Sequence, residues 1–303
     1  MAATRDELVD RLRQRLLASA NRAGWGYYTG KSSRIEPTCW ALLALAHTEP
    51  SSGQWRAFAS AHVAFLASLQ GRDGLLVETD PALTNLTANG LAALVLGDVV
   101  EAPEHADARQ RLVHGLVELK GVRLETIDPR QDSTLQGWPW VPDTFSWVEP
   151  TAWCLLALKR APSVGGDVAT RARQSEAERL LANRMCAGGG WNFGNAVALG
   201  QDLRPYVPTT AVALIALQDR PGDPTVQTSL GVLRTQRLLE PGAMTLALVS
   251  ICLRLYGTPA DDVDERLAKA VERSDEAGNL QAIAMALFAL TGARHRGGAF
   301  RVA

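Results

Sequence analysis

Gly24-Trp25-Gly26-Tyr27, followed by Glu36-Pro37-Thr38-Cys39-Trp40 and Leu42-Leu43-Ala44-Leu45, returns without a gap as Gly137-Trp138-Pro139-Trp140, Glu149-Pro150-Thr151-Ala152-Trp153 and Leu155-Leu156-Ala157-Leu158. Ser33 and Ser146 match as well. A chain that repeats an aromatic loop together with the helix start behind it is assembled from stacked units. The repeat also sets an acidic side chain among aromatics twice.

Outward from that stretch, two kinds of helical text alternate. Arg5–Asn21, Gly53–Gln70, Glu104–Lys120, Asp167–Met185, Pro224–Arg237 and Ala260–Arg273 carry apolar residues at three- and four-residue intervals with charges between them, the pattern of helices with one wet face. Glu36–Ala46, Leu83–Leu96, Glu149–Leu158, Pro208–Leu217, Pro241–Leu255 and Gly278–Leu290 are nearly uncharged and rich in Ala and Leu. Helices apolar almost all round are buried on most sides. Six wet and six dry helices in strict alternation predict an all-α α6-α6 toroid, an inner ring sheathed by an outer one. An open solenoid uses the same helix pairs, but the dry helices lack a face polar enough for an exposed concave surface.

The chain reads as one domain over 1–303, with a basic, Gly-rich tail from about 292. At 47% apolar, it can bury roughly three quarters of its unfolded surface. A net charge of −1 and the lack of a basic helical stripe argue against nucleic acid. No apolar run reaches membrane-spanning length, and Met1–Ala20 mixes charges with leucines, unlike a secretory signal. Cys39, Cys154, Cys186 and Cys252 show no paired spacing, which fits buried thiols in a reducing compartment. A cytoplasmic protein is expected.

In a toroid all outer-to-inner loops emerge on one rim, and here those loops carry Trp25, Tyr27, Tyr28, Trp138, Trp140, Phe145, Trp147, Trp191, Phe193 and Tyr206. The inner-to-outer connections, such as Thr48–Ser52, are short and polar. The longest inserts, Gly121–Val148 and Ala187–Val207, are rim loops, and long loops on a rigid scaffold are where sites reside. Trp25, Trp138 and Trp191 recur at equivalent places and suit packing wedges. Trp140, Trp147, Tyr28, Phe193 and Tyr206 are less regular and are candidates for lining a pocket.

The Gly-aromatic punctuation (Gly24-Trp25-Gly26-Tyr27, Gly137-Trp138-Pro139-Trp140, Gly190-Trp191-Asn192-Phe193), the Gln70-to-Gly74 spacing and the inner-helix start Thr-Ala-x-x-Leu-x-Ala-Leu at Thr151–Leu158 and Thr210–Leu217 resemble the terpenoid cyclases and protein prenyltransferase β subunits. The Gln70 loop is similar to the Gln-x-x-x-Gly loop of squalene cyclase repeats. The resemblance covers nearly the whole chain. It implies a six-hairpin toroid whose central cavity holds an isoprenoid or other apolar small molecule. Two-domain triterpene cyclases need about twice this length.

In class II cyclases an Asp-x-Asp-Asp-Thr-Ala motif heads an inner helix, and its middle aspartate protonates an alkene or epoxide. On that motif the resemblance places Glu149 at the proton donor, and Glu36 falls likewise. The flanking aspartates are replaced by Trp147 and Pro150 in one copy and by Arg34 and Pro37 in the other. Glu beside Pro is equally ordinary helix-start chemistry, so capping and general acid are both open readings.

The prenyltransferase zinc site has no counterpart. Cys39 lies three residues after Glu36, no inner helix begins with His, and His62, His105 and His114 fall on outer, solvated helices. No metal and no cofactor are expected. Asp261-Asp262-Val263-Asp264-Glu265 reads as the solvated first turn of an outer helix, and the Gly-Cys-Gly-Glu-Gln motif of thioester domains is absent. Arg34, with Lys31 and Arg204, would be the basic groups at hand for a substrate diphosphate. The alternative to an isoprenoid-binding or cyclase-like protein is a non-catalytic module whose aromatic rim holds a partner protein or peptide. Peripheral membrane contact is compatible with either.

Overall fold

The computed structural model describes residues 4–48, 53–99, 105–126, 128–161, 168–291 and 298–302. The expected short connection 48–52 and the start of the tail, 292–297, lie largely outside the described residues. Along the chain run α1 (Arg5–Ala18), α2 (Ile35–Ala46), α3 (Gly53–Ser68), α4 (Thr87–Asp98), α5 (Ala106–Glu118), α6 (Val148–Arg160), α7 (Val168–Asn183), α8 (Val207–Ala216), α9 (Pro224–Gln236), α10 (Ala243–Leu255), α11 (Asp261–Glu276) and α12 (Leu280–Thr291). A two-residue antiparallel hairpin, β1 (Val197–Ala198) with β2 (Gln201–Asp202), projects from the α7–α8 loop.

The even-numbered helices form the inner ring. Each packs on the next, from α2 through α4, α6, α8 and α10 to α12, and α12 packs back on α2. The ring is therefore closed, as the burial of these helices on nearly every side requires: every described side chain of α8 and α12 but one is buried. The odd-numbered helices lie outside and bury one stripe each, such as Leu8, Leu12 and Leu16 on α1.

Three copies of one hydrogen-bond frame position the rim. The amide N–H of Trp25, Trp138 or Trp191 donates to the hydroxyl of Thr38, Thr151 or Thr210 at 2.9, 3.0 and 2.9 Å. The indole N–H of each donates to a carbonyl near the end of its outer helix, that of Leu16, Leu116 or Leu181, at 2.8, 2.9 and 2.7 Å. All three rings are fully buried. Glycine precedes each Trp because a Cβ on Gly24, Gly137 or Gly190 would come within 3.0 Å of the threonine hydroxyl. A fourth hairpin keeps the geometry with other atoms. Asn89 accepts from the Leu76 N–H at 2.7 Å and donates to its carbonyl at 3.1 Å.

A second set of bonds links successive loops at five of the six inner-helix heads. The first N–H of such a helix needs an acceptor, and the next loop supplies it. Ile35 donates to the Glu78 carboxylate (3.0 Å), Leu86 to the Trp140 carbonyl (2.8 Å), Val148 to the Phe193 carbonyl (2.9 Å) and Val207 to the Glu240 carboxylate (3.2 Å). Leu280 donates to the Tyr27 carbonyl (2.9 Å), which closes the last hairpin on the first.

Some expected boundaries and environments differ. Leu83 belongs to a 3-10 turn, Pro81–Leu83, capped by Asp80, so α4 begins only at Thr87. His62 and His105 are on the outer ring but are buried. His62 faces inward, its ring 4.6 Å from that of Trp25 and 4.3 Å from that of Phe58. Asp264 in the first turn of α11 is not solvated. It is buried against Arg254, Ser250 and Arg5, an ion-pair cluster that ties α1 and α10 to α11. Beyond 297 the tail packs on the helices, with Phe300 buried. The four cysteines are free and buried.

Candidate active site

This bonding between loops fixes a level inside the ring. The residue after each bonded N–H is Glu36, Thr87, Glu149, Pro208 or Gln281, so these five share one height along the toroid axis. Gln281 and Glu36, on adjacent α12 and α2, touch directly: the amide donates to Oε1 at 2.7 Å. The Tyr27 hydroxyl donates to the other oxygen at 2.8 Å. No backbone N–H is capped by Glu36, and α2 and α6 have no side-chain cap among the described residues. Glu78, not Glu36, takes the first N–H of α2.

Both Glu36 and Glu149 have protein on nearly every side and still retain accessible surface. Burial raises the Glu36 carboxyl above its ordinary value, and the Tyr27 and Gln281 donors oppose the rise. Burial pushes Glu149 up to about 7, with the charge of Glu36 as a second cause, while a hydrogen bond from the Trp140 side chain pulls the other way. Of the two, Glu36 is the better satisfied as an anion.

Trp140 stands where Tyr27 stands in the first copy, so each copy aims one aromatic donor at its own carboxylate. Trp140 also stacks on Trp147 with centroids 4.5 Å apart and rings 23° from parallel. Phe145 adjoins Trp147 at 4.3 Å, Phe193 adjoins Trp140 at 5.8 Å, and Tyr206 adjoins Phe193 at 5.0 Å. Four candidate pocket aromatics, Trp140, Trp147, Phe193 and Tyr206, thus form one continuous cluster at the mouth beside Glu149. Tyr28 is not in it. Its ring is half exposed and its backbone pairs with Asn279.

Arg34 is elsewhere too, in a rim cleft of about 740 Å3 that Arg22, Lys31, Glu78 and Asp80 also line. Its guanidinium pairs with Glu78 at 3.0 Å, donates to the Leu83 carbonyl at 2.8 Å and lies over the Tyr27 ring. Arg204 is in the α7–α8 loop, across the mouth from that cleft. Among the described residues no group of three His, Cys, Asp or Glu is gathered for a metal ion, and no helix is long and apolar enough to cross a membrane.

Sequence reading gives no site role to Tyr27, Gln281, Trp40 or Trp153. Position signals existed for three of them. Tyr27 aligns with Trp140, and Trp40 and Trp153 each follow a repeat glutamate by four residues, on the same helix face. Gln281 carried no signal, since its loop lacks the repeat.

No protein-family model and no curated protein matches the chain. Solved structures do. One is an inactive double Asp-to-Asn variant of the α-1,6-mannanase GH76A of Salegentibacter sp. HEL1_6 in complex with α-1,6-mannotriose, with a TM-score of 0.66 at 9% identity over 96% of this chain and 99% of that one. Another is the endo-1,4-D-glucanase of Vibrio fischeri ES114, with a TM-score of 0.61 at 13% identity over 92% and 93%. A type II terpene cyclase from Scytonema, in complex with geranylgeranyl dihydroxybenzoate, reaches 0.41 at 13% identity over 95% and 97%. At such identities the two stronger likenesses show the fold, an α/α toroid, and fold is separable from function.

Proposed function

We propose that the protein is an acid–base enzyme of the toroid lumen, acting on an apolar, isoprenoid-like chain whose cyclisation or rearrangement starts with a proton from Glu149. The observation that carries this reading is the carboxylate pair itself: Glu36 and Glu149 sit in the first turns of the inner helices α2 and α6, both nearly enclosed by protein, and burial pushes Glu149 up to about 7. A scaffold gains nothing from burying two carboxyl groups, whose desolvation costs stability. Enzymes tune a general acid in this way.

The same value narrows the chemistry. A carboxyl held near 7 keeps its proton in about half of the molecules at neutral pH but is a weak acid, better matched to an oxygen lone pair than to a carbon–carbon double bond. The acceptor is therefore an oxygen on the chain, such as an epoxide. Protonation of that oxygen breaks a C–O bond and leaves positive charge on carbon. The faces of Trp140 and Trp147 stabilise it, a π bond of the same chain attacks it to form a C–C bond, and the final proton returns to the carboxylate pair. The net reaction is an isomerisation and needs no co-reactant.

A second reading has its own support. Glycoside cleavage also uses two carboxyl groups across a scissile bond, and the mannanase variant of similar fold is in complex with α-1,6-mannotriose. Purified protein incubated with prenyl chains of geranyl to squalene length, with their terminal epoxides, and separately with α-1,6-mannan and β-1,4-glucan, decides between them. Cyclised products from the epoxides are expected, reduced about 10²- to 10⁴-fold by Glu149→Gln. Turnover that persists with both Glu149→Gln and Glu36→Gln removes the mechanism, and reducing ends released from a glycan replace the substrate class.

A further inference from the structure

We propose that the end of the ring opposite the aromatic rim is a peptide-recognition site, occupied by the chain's own C-terminus. Its ligand is an extended segment with one aromatic anchor, and a second such segment takes the place of the first when it competes successfully. Nothing in it depends on the chemistry at Glu149.

The inner helices build the socket by themselves. Trp40 of α2 meets Trp153 of α6 edge to face at 5.7 Å, and it meets Phe288 of α12 at 6.1 Å. These three buried rings support one another without the tail. Phe300 enters among them, its ring 5.6 Å from Trp40, 5.3 Å from Trp153 and 4.8 Å from Phe288. Gln218, just past the end of α8, reads the backbone of the tail in both directions. Its amide donates to the Phe300 carbonyl at 2.7 Å, and its oxygen accepts from the Val302 N–H at 3.3 Å. Arg160, the last residue of α6, donates to the Arg301 carbonyl at 2.9 Å.

That division of contacts is the one peptide-binding sites use. Main-chain bonds hold the segment with little regard to sequence, and one aromatic pocket selects it. Arg301 is exposed and its side chain is not read, whereas Val302 packs against the core as a lesser contact. Residues 298–302 belong to no helix or strand. The sequence joining them to α12, residues 292–297, has no apolar side chain beyond Ala293. Phe300 is therefore the anchor. A tail on so short a connection competes at an effective concentration of about 1 mM, so the site inhibits itself. The partner it fits is a protein segment with an aromatic residue, any residue and an aliphatic one in succession, as in Phe300-Arg301-Val302.

The probe is a fluorescein-labelled peptide with the sequence of residues 298–303, read by anisotropy against the full-length chain. Phe300→Ala should bind it about 10- to 100-fold more tightly than wild type, whose own tail competes. A peptide with alanine in place of the phenylalanine should bind neither chain. Adding Gln218→Ala should weaken binding about tenfold, through the loss of two hydrogen bonds to the peptide backbone. No binding to a folded Phe300→Ala chain, or equal binding of the two peptides, overturns the site. If that variant does not fold, a protease site inserted between Gly297 and Gly298 lets the chain fold with its tail in place before it is cut. Exchange of the severed tail for the labelled peptide supports the site. A tail that stays without exchanging, or a ring that unfolds on cutting, shows a structural strap and overturns it.

Discussion

The two Glu-Pro-Thr copies share a skeleton and differ in how they hold their glutamate. In the first, Tyr27 and Gln281 each donate to one oxygen of Glu36, and Arg34 and Glu78 stand behind as a fixed ion pair. In the second, Glu149 has a single aromatic donor, Trp140, and the place of Arg34 is taken by Trp147, stacked against that same Trp140. One copy is built to hold a carboxylate still. The other leaves a carboxyl group underbonded beside two indole faces. In the proposed mechanism the difference divides the labour: Glu36 as the fixed partner, Glu149 as the group that gives up a proton.

The largest expected effect tests that division. Glu149→Gln should cost about 10²- to 10⁴-fold in kcat, and Glu36→Gln should cost less and also lower the pH at which Glu149 loses its proton, because a neighbouring negative charge is gone. Equal losses with an unmoved pH profile would erase the asymmetry.

Next comes the pH dependence of stability. Glu149 binds its proton more tightly when folded (about 7) than at the ordinary value of 4.5, so the native state holds more protons between those limits. Its contribution is intact below about 4.5, declines as pH rises and is lost above about 7, a change of about 3 kcal/mol. Denaturant titrations of Glu149→Gln should show a flatter profile from pH 5 to 8 and a more stable protein at pH 8. A slope as steep as that of wild type would mean another group is responsible.

The shared skeleton makes a smaller and symmetric prediction. Thr38→Val and Thr151→Val each leave a buried tryptophan N–H without its acceptor, which should cost about 1–3 kcal/mol in either copy. A much larger cost in one copy, measured by urea unfolding, would show that the frames are not equivalent. Smallest is Trp140→Phe, which removes the one donor to Glu149 while keeping a ring. The basic limb of the activity profile should move to higher pH by less than about one unit, since a lost hydrogen bond disfavours the ionised form. A downward move would place the indole N–H elsewhere.

How much of this was legible beforehand varies by element. The six hairpins were, since the alternation of charged and uncharged helical text is a direct record of which helices meet water. Glu36, Glu149 and the wedge tryptophans were also visible, through the repeat. The aromatic cluster was half visible: Trp140, Trp147, Phe193 and Tyr206 come together, whereas Tyr28, adjacent in sequence to the donor Tyr27, turns outward. His62, His105 and Asp264 were misread as solvated, because a helix with one wet face says little about which polar residue sits at its dry edge.

The sequence by itself determined the toroid, its rim and the heights of its glutamates, because helical periodicity and a local repeat need no distant partner to be read. Only the tertiary structure decided that Gln281 reaches Glu36 across the seam of the ring, that Trp40 meets Trp153 although α4 lies between their helices, and that Phe300 packs on both. The contacts of Gln281 and Phe300 join residues from opposite ends of the chain, and ring closure is what brings them within reach; that of Trp40 with Trp153 needs only α2 and α6 to pack on the two sides of α4.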